Sequence, residues 1–249
     1  MKVTAVVITN KEELNKQLLE SLSFSDEILV VVDAPVIPAK AGNHQITPKN
    51  KKIKDLFHAL RDDFSSQRNY ALSKAKGGWI FFVDDDEYVG TELQREILDK
   101  VNNPGYSGYY IRRQDVVYHQ PLKHGETGKI AILRLARRTA GRFVRPVHEV
   151  WKVKGKIGKL QSPLYHIKDH LVSDFIEKMS FYSQIDSLAL AKEGKPFSYF
   201  RLLLFPIAKF NLNYLFKRGF LDGTAGLFLA YLMAVQSLTV RVAQWENQN

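Results

Sequence analysis

Cysteine is absent from the 249-residue chain. Disulfides, thiol nucleophiles and cysteine-ligated zinc are therefore excluded, and the composition fits a reducing compartment. No glycine stands in "ITNKEELN" after the first apolar run, so a glycine-loop phosphate cradle is missing there. The N-terminal stretch "MKVTAVVITNKEEL" carries only a short apolar run before charges follow. That run is too short for a signal-peptide core, so the protein is not expected to be secreted. Zinc-finger spacing, an aromatic RNA-binding signature and a basic-zipper pattern are also missing, so nucleic acid is not an expected partner. No internal repeat or low-complexity tract interrupts the chain.

What is present is a globular composition, 45% hydrophobic and 25% charged, with a net charge of +10. A basic excess of that size suits anionic lipid or phosphorylated substrates. "KVTAVVITN" reads as a strand buried on both faces. "KEELNKQLLESL" has leucines at helical spacing, and Asn10 with Glu13 resembles a capping box. "DEILVVVD" is a second buried strand ending on Asp33. Strand, helix and strand in this order start a parallel sheet. Residues 34–52 hold three prolines, a glycine and many cations and read as a long loop. "IKDLF" suits a third strand. "SSQRNYALSKAKGG" suits a helix capped by Ser65 or Ser66 and stopped by Gly77. "WIFFV" is a fourth strand and "TELQREILDKV" an amphipathic helix. From 105 to 165 short strands are expected ("GYYIRR", "VVYH", "IAILRLA", "RFVRPVHEVWKV"), and after Leu171 helices.

The fourth strand runs straight into Asp84, Asp85, Asp86 and Glu87. Two like charges about 4 Å apart repel by about 1 kcal/mol in water and about 4 near a protein surface. In an extended chain Asp84 and Asp86 project to one side and Asp85 and Glu87 to the other. Ligands of open α/β sheets bind beyond such strand ends. A divalent cation with a substrate diphosphate would relieve the repulsion there. A solvated acidic turn is the alternative for the triplet alone. The cations from Arg134 to Arg145 suit either acceptor or lipid phosphates, or ion pairs with the acidic turn.

Three further blocks, "ITNKEELNKQLLESLSFSDEILVVVD", "FSSQRNYALSKAKGGWIFFVDDDEYV" and "RPVHEVWKVKGKIGKLQSPLYH", resemble family 2 glycosyltransferases of the GT-A fold. With the tail "RGFLDGTAGLFLAYLMAVQSLTVRVAQWE", they are most similar to the branch that includes lipopolysaccharide-core β-glucosyltransferases. The resemblance implies an α/β, Rossmann-like nucleotide-sugar-binding domain with a mixed, mostly parallel sheet. It spans 1–170, with a nucleotide half to about 103 and an acceptor half from about 104, followed by a helical, membrane-associating region over 171–249. It implies that Asn10, Asp33, Gln67, Arg68 and Asp84 bind the nucleotide sugar. Asp86 would bind Mg²⁺ or Mn²⁺ together with His148 or His166, and Glu149 would be the catalytic base. Asp33 could instead be a helix cap or loop acid, and Glu149 an ion-pair partner of Arg142 or Arg145. Two departures stand out: "DAPVIPAKAGNHQ" replaces the family's short polar turn after Asp33, and Asp85 stands where the family commonly has alanine.

The expected activity is inverting, metal-dependent transfer of a hexose, glucose by the resemblance, from a UDP-sugar to a lipid-linked or cell-envelope glycan. A catalytically degenerate GT-A protein, a basic membrane-binding protein and, further behind, a sugar nucleotidyltransferase are the alternatives. Residues 223–240 carry no charge. Glutamine, serine and threonine within that stretch favour helices lying on a membrane over a span. The expected location is cytoplasmic, peripheral at the inner face of the cytoplasmic membrane, with the membrane surface and a glycan or glycolipid acceptor as partners.

Overall fold

The structure, a computed structural model, describes residues 1–11, 13–33, 47, 50–60, 63–126, 130–145, 149–168 and 171–248, without the side chains at 174, 177, 178 and 181. Most of the expected 34–52 loop lies outside the described residues, as does His148. The elements follow in the order β1 (Val3–Thr9), α1 (Lys16–Ser21), β2 (Glu27–Val32), β3 (Ile53–Phe57), α2 (Phe64–Lys74), β4 (Trp79–Asp84), β5 (Glu87–Val89), α3 (Thr91–Asn102), β6 (Gly108–Val117), β7 (Gln120–Pro121), β8 (Ala131–Arg137), β9 (Gly141–Val144), β10 (Val150–Val153), β11 (Ile157–Lys159), β12 (Leu164–Lys168), α4 (Leu171–Lys192), α5 (Tyr199–Asn211) and α6 (Gly223–Glu246). They fall into two units, Met1–Arg113 with Ala131–His166, and Gln114–Ile130 with Ile167–Asn249.

In the first unit the strands lie in the order β3-β2-β1-β4-β8-β6. The first four run parallel, and β8 then pairs antiparallel with both β4 and β6. The parallel strands are apolar on both faces because both faces are covered. Val3, Ala5, Val7, Trp79, Phe81 and Val83 pack towards Leu18 of α1 and Leu93, Ile97 and Val101 of α3. The alternate residues Val6, Leu29, Val31, Ile80 and Phe82 pack towards Ala71 and Leu72 of α2 and towards Phe143 and Trp151 of the β9–β10 hairpin. Each large side chain buried in this way contributes about 1.5–3 kcal/mol.

Several local expectations are corrected. Helix α1 starts at Lys16, and its cap is Asn15, whose Oδ1 accepts the Gln17 N–H at 2.8 Å; Asn10 is left at the exposed end of β1. Helix α2 is capped by Asp63, whose Oδ1 accepts the Ser66 N–H at 2.9 Å, so neither serine is the cap. The helix also ends at Lys74, before Gly77. Glycine is needed at 77 because a Cβ there would meet the backbone nitrogen and Oγ1 of Thr4 at 2.7 Å. "GYYIRR" and "VVYH", expected as two strands, lie largely on the single strand β6.

In the second unit α4 and α5 pack on α6. Leu171, Ala225 and Leu229 join Val117 and Leu122 in its core. The chain passes from α5 to α6 through a π-helical turn, Leu212–Phe216, and a 3-10 turn, Gly219–Asp222.

Candidate active site

Parallel pairing aligns the C-terminal ends of β1, β2 and β4: Thr9 lies opposite Val32, and Ile8 opposite Asp84. The strand-end acids therefore gather at one edge. They do not alternate as an extended strand would, because residues 85 and 86 form a turn between β4 and β5. Asp84 and Glu87, expected on opposite sides, share one cation instead. Arg134 of β8 is buried; its Nη1 donates to Asp84 Oδ1 at 2.9 Å, its Nη2 to Asp84 Oδ2, and its Nη2 also to Glu87 Oε1 at 3.0 Å. Glu87 Oε2 turns back to accept the Asp84 N–H at 2.9 Å. Asp85 accepts from Thr9 Oγ1 at 2.6 Å and Lys11 Nζ at 3.0 Å. Asp86 Oδ2 lies 3.0 Å from His166 Nε2. The antiparallel register of β5 with β12 places His166 opposite Glu87, which brings the imidazole to the turn. Asp84 and Glu87 thus share Arg134, while Asp85 and Asp86 have separate partners.

Arg68 of α2 joins this cluster to the β9–β10 hairpin. Its Nε donates to Glu149 Oε1 at 2.8 Å and its Nη2 to Asp84 Oδ1 at 3.3 Å. The guanidinium lies 5.4 Å from the ring centre of Phe82 and 5.5 Å from that of Phe143, which fixes its plane. The ion-pair partner of Glu149 is therefore Arg68, not Arg142 or Arg145. Asp84, Arg68, Arg134 and Glu149 line one cleft of about 360 Å³ with Tyr110 and Trp151.

The rest of the "QRN" block supports this arrangement. Asn69 Nδ2 donates to the Phe143 carbonyl and Asn69 Oδ1 accepts the Phe143 N–H, both at 2.9 Å, which pins the hairpin to α2. Gln67 is buried, and its Nε2 donates to the His58 carbonyl at 2.9 Å. That bond ties Gln67 to the β3–α2 connection, and Gln67 is not among the residues lining the cleft. Asp33 follows β2, and its Oδ1 accepts the Leu60 N–H at 2.7 Å. Asn10 and Asp33 sit at adjacent strand ends, since the Asp33 N–H donates to the Thr9 carbonyl at 2.8 Å.

The electrostatics are uneven. Burial opposes a charge on Asp84, but Arg134 and Arg68 outweigh it and hold this carboxyl far below the ordinary range. Burial pushes Glu87 up to about 7, against the pull of Arg134 and with the charge of Asp84 adding to the rise. Burial also opposes the Arg134 charge, which Asp84 and Glu87 more than restore. Asp84, Asp85, Asp86, Glu87 and Glu149 face Lys11, Arg68 and Arg134. Arg113 also lines the cleft.

Among the described residues no group of three or more histidines and acids is placed to hold a metal. The pair Asp86–His166 nevertheless fits part of a coordination shell. Two ligands at about 2.1 Å from an ion and at right angles to each other are about 3 Å apart. Asp84 does not fit, because both of its oxygens are engaged by arginine.

The residues that the sequence left unassigned are Arg134, Thr9, Lys11 and Asn69. Asn69 was visible inside "QRN", and Arg134 as one of a basic run. Their partners lie far away along the chain, 50 residues in the case of Arg134 and Asp84.

The chain is similar to proteins named as glycosyltransferases. An uncharacterized glycosyltransferase of Rickettsia typhi is 24% identical over 253 residues, covering 94% of this chain and 83% of the relative. A lipopolysaccharide core biosynthesis glycosyltransferase, LpsC, of Rhizobium meliloti is 23% identical over 244 residues, covering 93% and 89%. The crystal structure of S. aureus TarS 1–349 in complex with UDP-GlcNAc aligns over 100% of this chain and 92% of its own, at 16% identity and a TM-score of 0.46. The family model described as glycosyl transferase family 2 matches residues 5–153, a stretch that holds the whole acidic run, Arg68, Arg134 and Glu149. With more than half of its length matched, and with its strand-end acids gathered on a mixed α/β sheet of the GT-A fold, the chain belongs to glycosyl transferase family 2 and is a glycosyltransferase.

Proposed function

We propose that this glycosyltransferase is metal-dependent and inverting, and that it moves a hexose from a UDP-sugar to a lipid-linked or cell-envelope glycan. One observation carries the reading: Arg68 bridges Asp84, in the acidic run, to Glu149, across the cleft that all three line. Donor handling and acceptor activation are thereby tied to one guanidinium. UDP and glucose follow from the resemblance of the sequence blocks. The envelope acceptor is supported by the similarity to a lipopolysaccharide core biosynthesis glycosyltransferase.

In this reading Asn10 and Asp33, at the adjacent ends of β1 and β2, contact the base and ribose. Asp86 and His166 hold the cation. An imidazole nitrogen in the set favours Mn²⁺ over Mg²⁺, which prefers oxygen alone. When bound, the ion offsets the charge of the diphosphate leaving group. Arg134 keeps Asp84 ionised and oriented, and Asp84 in turn orients Arg68 towards the diphosphate. Glu149 Oε1 is held by Arg68, so Oε2 takes the proton of the acceptor hydroxyl as its oxygen attacks the anomeric carbon. A single in-line displacement inverts that carbon and needs no enzyme nucleophile. Gln67 also holds the His58 backbone through its Nε2. The basic, apolar surface of the second unit suits a peripheral position at the inner face of the cytoplasmic membrane.

A donor screen by thermal shift tests this proposal, with UDP-, GDP- and TDP-sugars each with and without Mn²⁺. A Mn²⁺-dependent shift with a UDP-sugar alone is expected. No shift with any donor would overturn the proposal.

A further inference from the structure

We propose that the turn between α5 and α6 is a rigid wedge that seats the second unit in an anionic lipid surface. It rests on the membrane-surface reading above and specifies which element inserts.

Helix α5 buries none of its residues, although Tyr199, Phe200, Leu203 and Ile207 are each at least 60% exposed. The surface continues through the turn, where Phe216 is 79% exposed and Leu215 and Leu221 more than half exposed. Aromatic contacts make it continuous: Phe210 lies 4.7 Å from Tyr231 of α6 and 5.4 Å from Tyr214, and Tyr214 lies 6.3 Å from Phe220, ring centre to ring centre. An apolar surface of this kind is rare on a protein that stays in water.

Charge identifies what covers it. Between residues 199 and 245 stand Arg201, Lys209, Lys217, Arg218 and Arg241, but only one acid, Asp222. That acid is buried: its Oδ2 accepts the N–H groups of Lys123 and His124 at 3.1 and 2.8 Å, and its Oδ1 lies 2.7 Å from His124 Nδ1. Lys209 and Lys217 are paired with Glu126, so the stretch exposes no acid of its own, and Arg201 and Arg218 stand beside the apolar side chains, which complements anionic headgroups over acyl chains.

The turn is held in shape. A Cβ on Gly226 would come within 2.0 Å of the Gly219 carbonyl oxygen, and one on Gly219 within 2.7 Å of that of Asn213. Asn213 Oδ1 accepts the Glu126 N–H at 3.0 Å, and Glu126 is paired with Lys209 and Lys217. Phe216 and Phe220 are thus presented on a fixed backbone, so little ordering entropy is lost on insertion.

Insertion stays within one leaflet. Helix α6 is long and apolar enough to cross a bilayer. However, α4 packs along it, with Ser183 Oγ and Thr239 Oγ1 2.9 Å apart, and α4 carries the exposed Gln184 and Asp186. A spanning α6 would draw those polar groups into hydrocarbon.

Flotation of the full chain tests the wedge, with vesicles of phosphatidylcholine alone and vesicles containing phosphatidylglycerol, at low and high salt. The wild type is expected to float with the anionic vesicles, less so at high salt. Phe216→Asp with Leu221→Asp, both more than half exposed, should weaken partitioning by about tenfold to a hundredfold at unchanged melting temperature. Arg218→Glu should weaken it mainly at low salt. A wild type that floats with neither vesicle overturns the membrane-surface reading itself. Flotation undiminished in the double variant, or resistance to alkaline carbonate extraction, overturns the wedge alone. A lipid-free dimer that the double variant dissolves would assign the surface to a second copy instead. Donor binding is read separately by the thermal-shift screen.

Discussion

Arg68 Nε donates to Glu149 Oε1 at 2.8 Å, linking helix α2 to the hairpin 81 residues further along the chain. The same guanidinium reaches Asp84, so one side chain ties the residue placed as the base to the acidic run. Arg68→Lys keeps the charge but has no rigid fork to serve two carboxylates. Turnover is expected to fall about tenfold to a hundredfold with donor affinity changed far less, measured as kcat and KM of sugar transfer.

Asp86→Ala and His166→Ala should each abolish the Mn²⁺-dependent part of donor binding by calorimetry. Asp85→Asn should retain it, because Asp85 is engaged by Thr9 and Lys11. Equal losses in all three variants would contradict the separate placement of these acids.

Asn69→Ala removes both hydrogen bonds that pin Phe143. Stability should fall by about 1–3 kcal/mol in denaturant unfolding, because Asn69 leaves two part-buried backbone groups unpaired. Transfer should fall as well, since the hairpin carries Glu149.

Glu27 gives a pH dependence away from the site. Burial raises its pKa, but the Lys76 N–H, Thr4 Oγ1 and Lys54 Nζ prevail and lower it. A depressed carboxyl contributes stability above its unfolded pKa of 4.5 that is lost as the pH falls below it. The wild-type melting temperature should therefore drop from about pH 5 downwards. Glu27→Gln should be less stable at neutral pH, with a shallower acid slope.

Much of the fold was legible because β1, β2 and β4 are apolar on both faces, which only a covered parallel sheet explains. Their shared direction also put Asn10, Asp33 and Asp84 at one edge. The turn at 85 and 86 was not legible, since strand alternation carried through the acids predicts the wrong pairs. Nor was the cap of α1, where Asn10 and Asn15 both precede suitable residues and only the observed helix start decides. Arg134 was visible as a cation, but its choice of Asp84 and Glu87 is set by the antiparallel return of β8 beside β4, which residue spacing does not encode. Asp85, which charge alone leaves unexplained, is accounted for by Thr9 and Lys11 one strand away.

The most direct measurement is calorimetric titration of a UDP-hexose with Mn²⁺ into the wild type, Asp86→Ala and Glu149→Gln, alongside sugar transfer by each. Glu149→Gln is predicted to bind donor as the wild type does while transfer falls by at least about a hundredfold, with Asp86→Ala failing to bind. Normal transfer by Glu149→Gln, or metal-dependent donor binding by Asp86→Ala, would contradict the account.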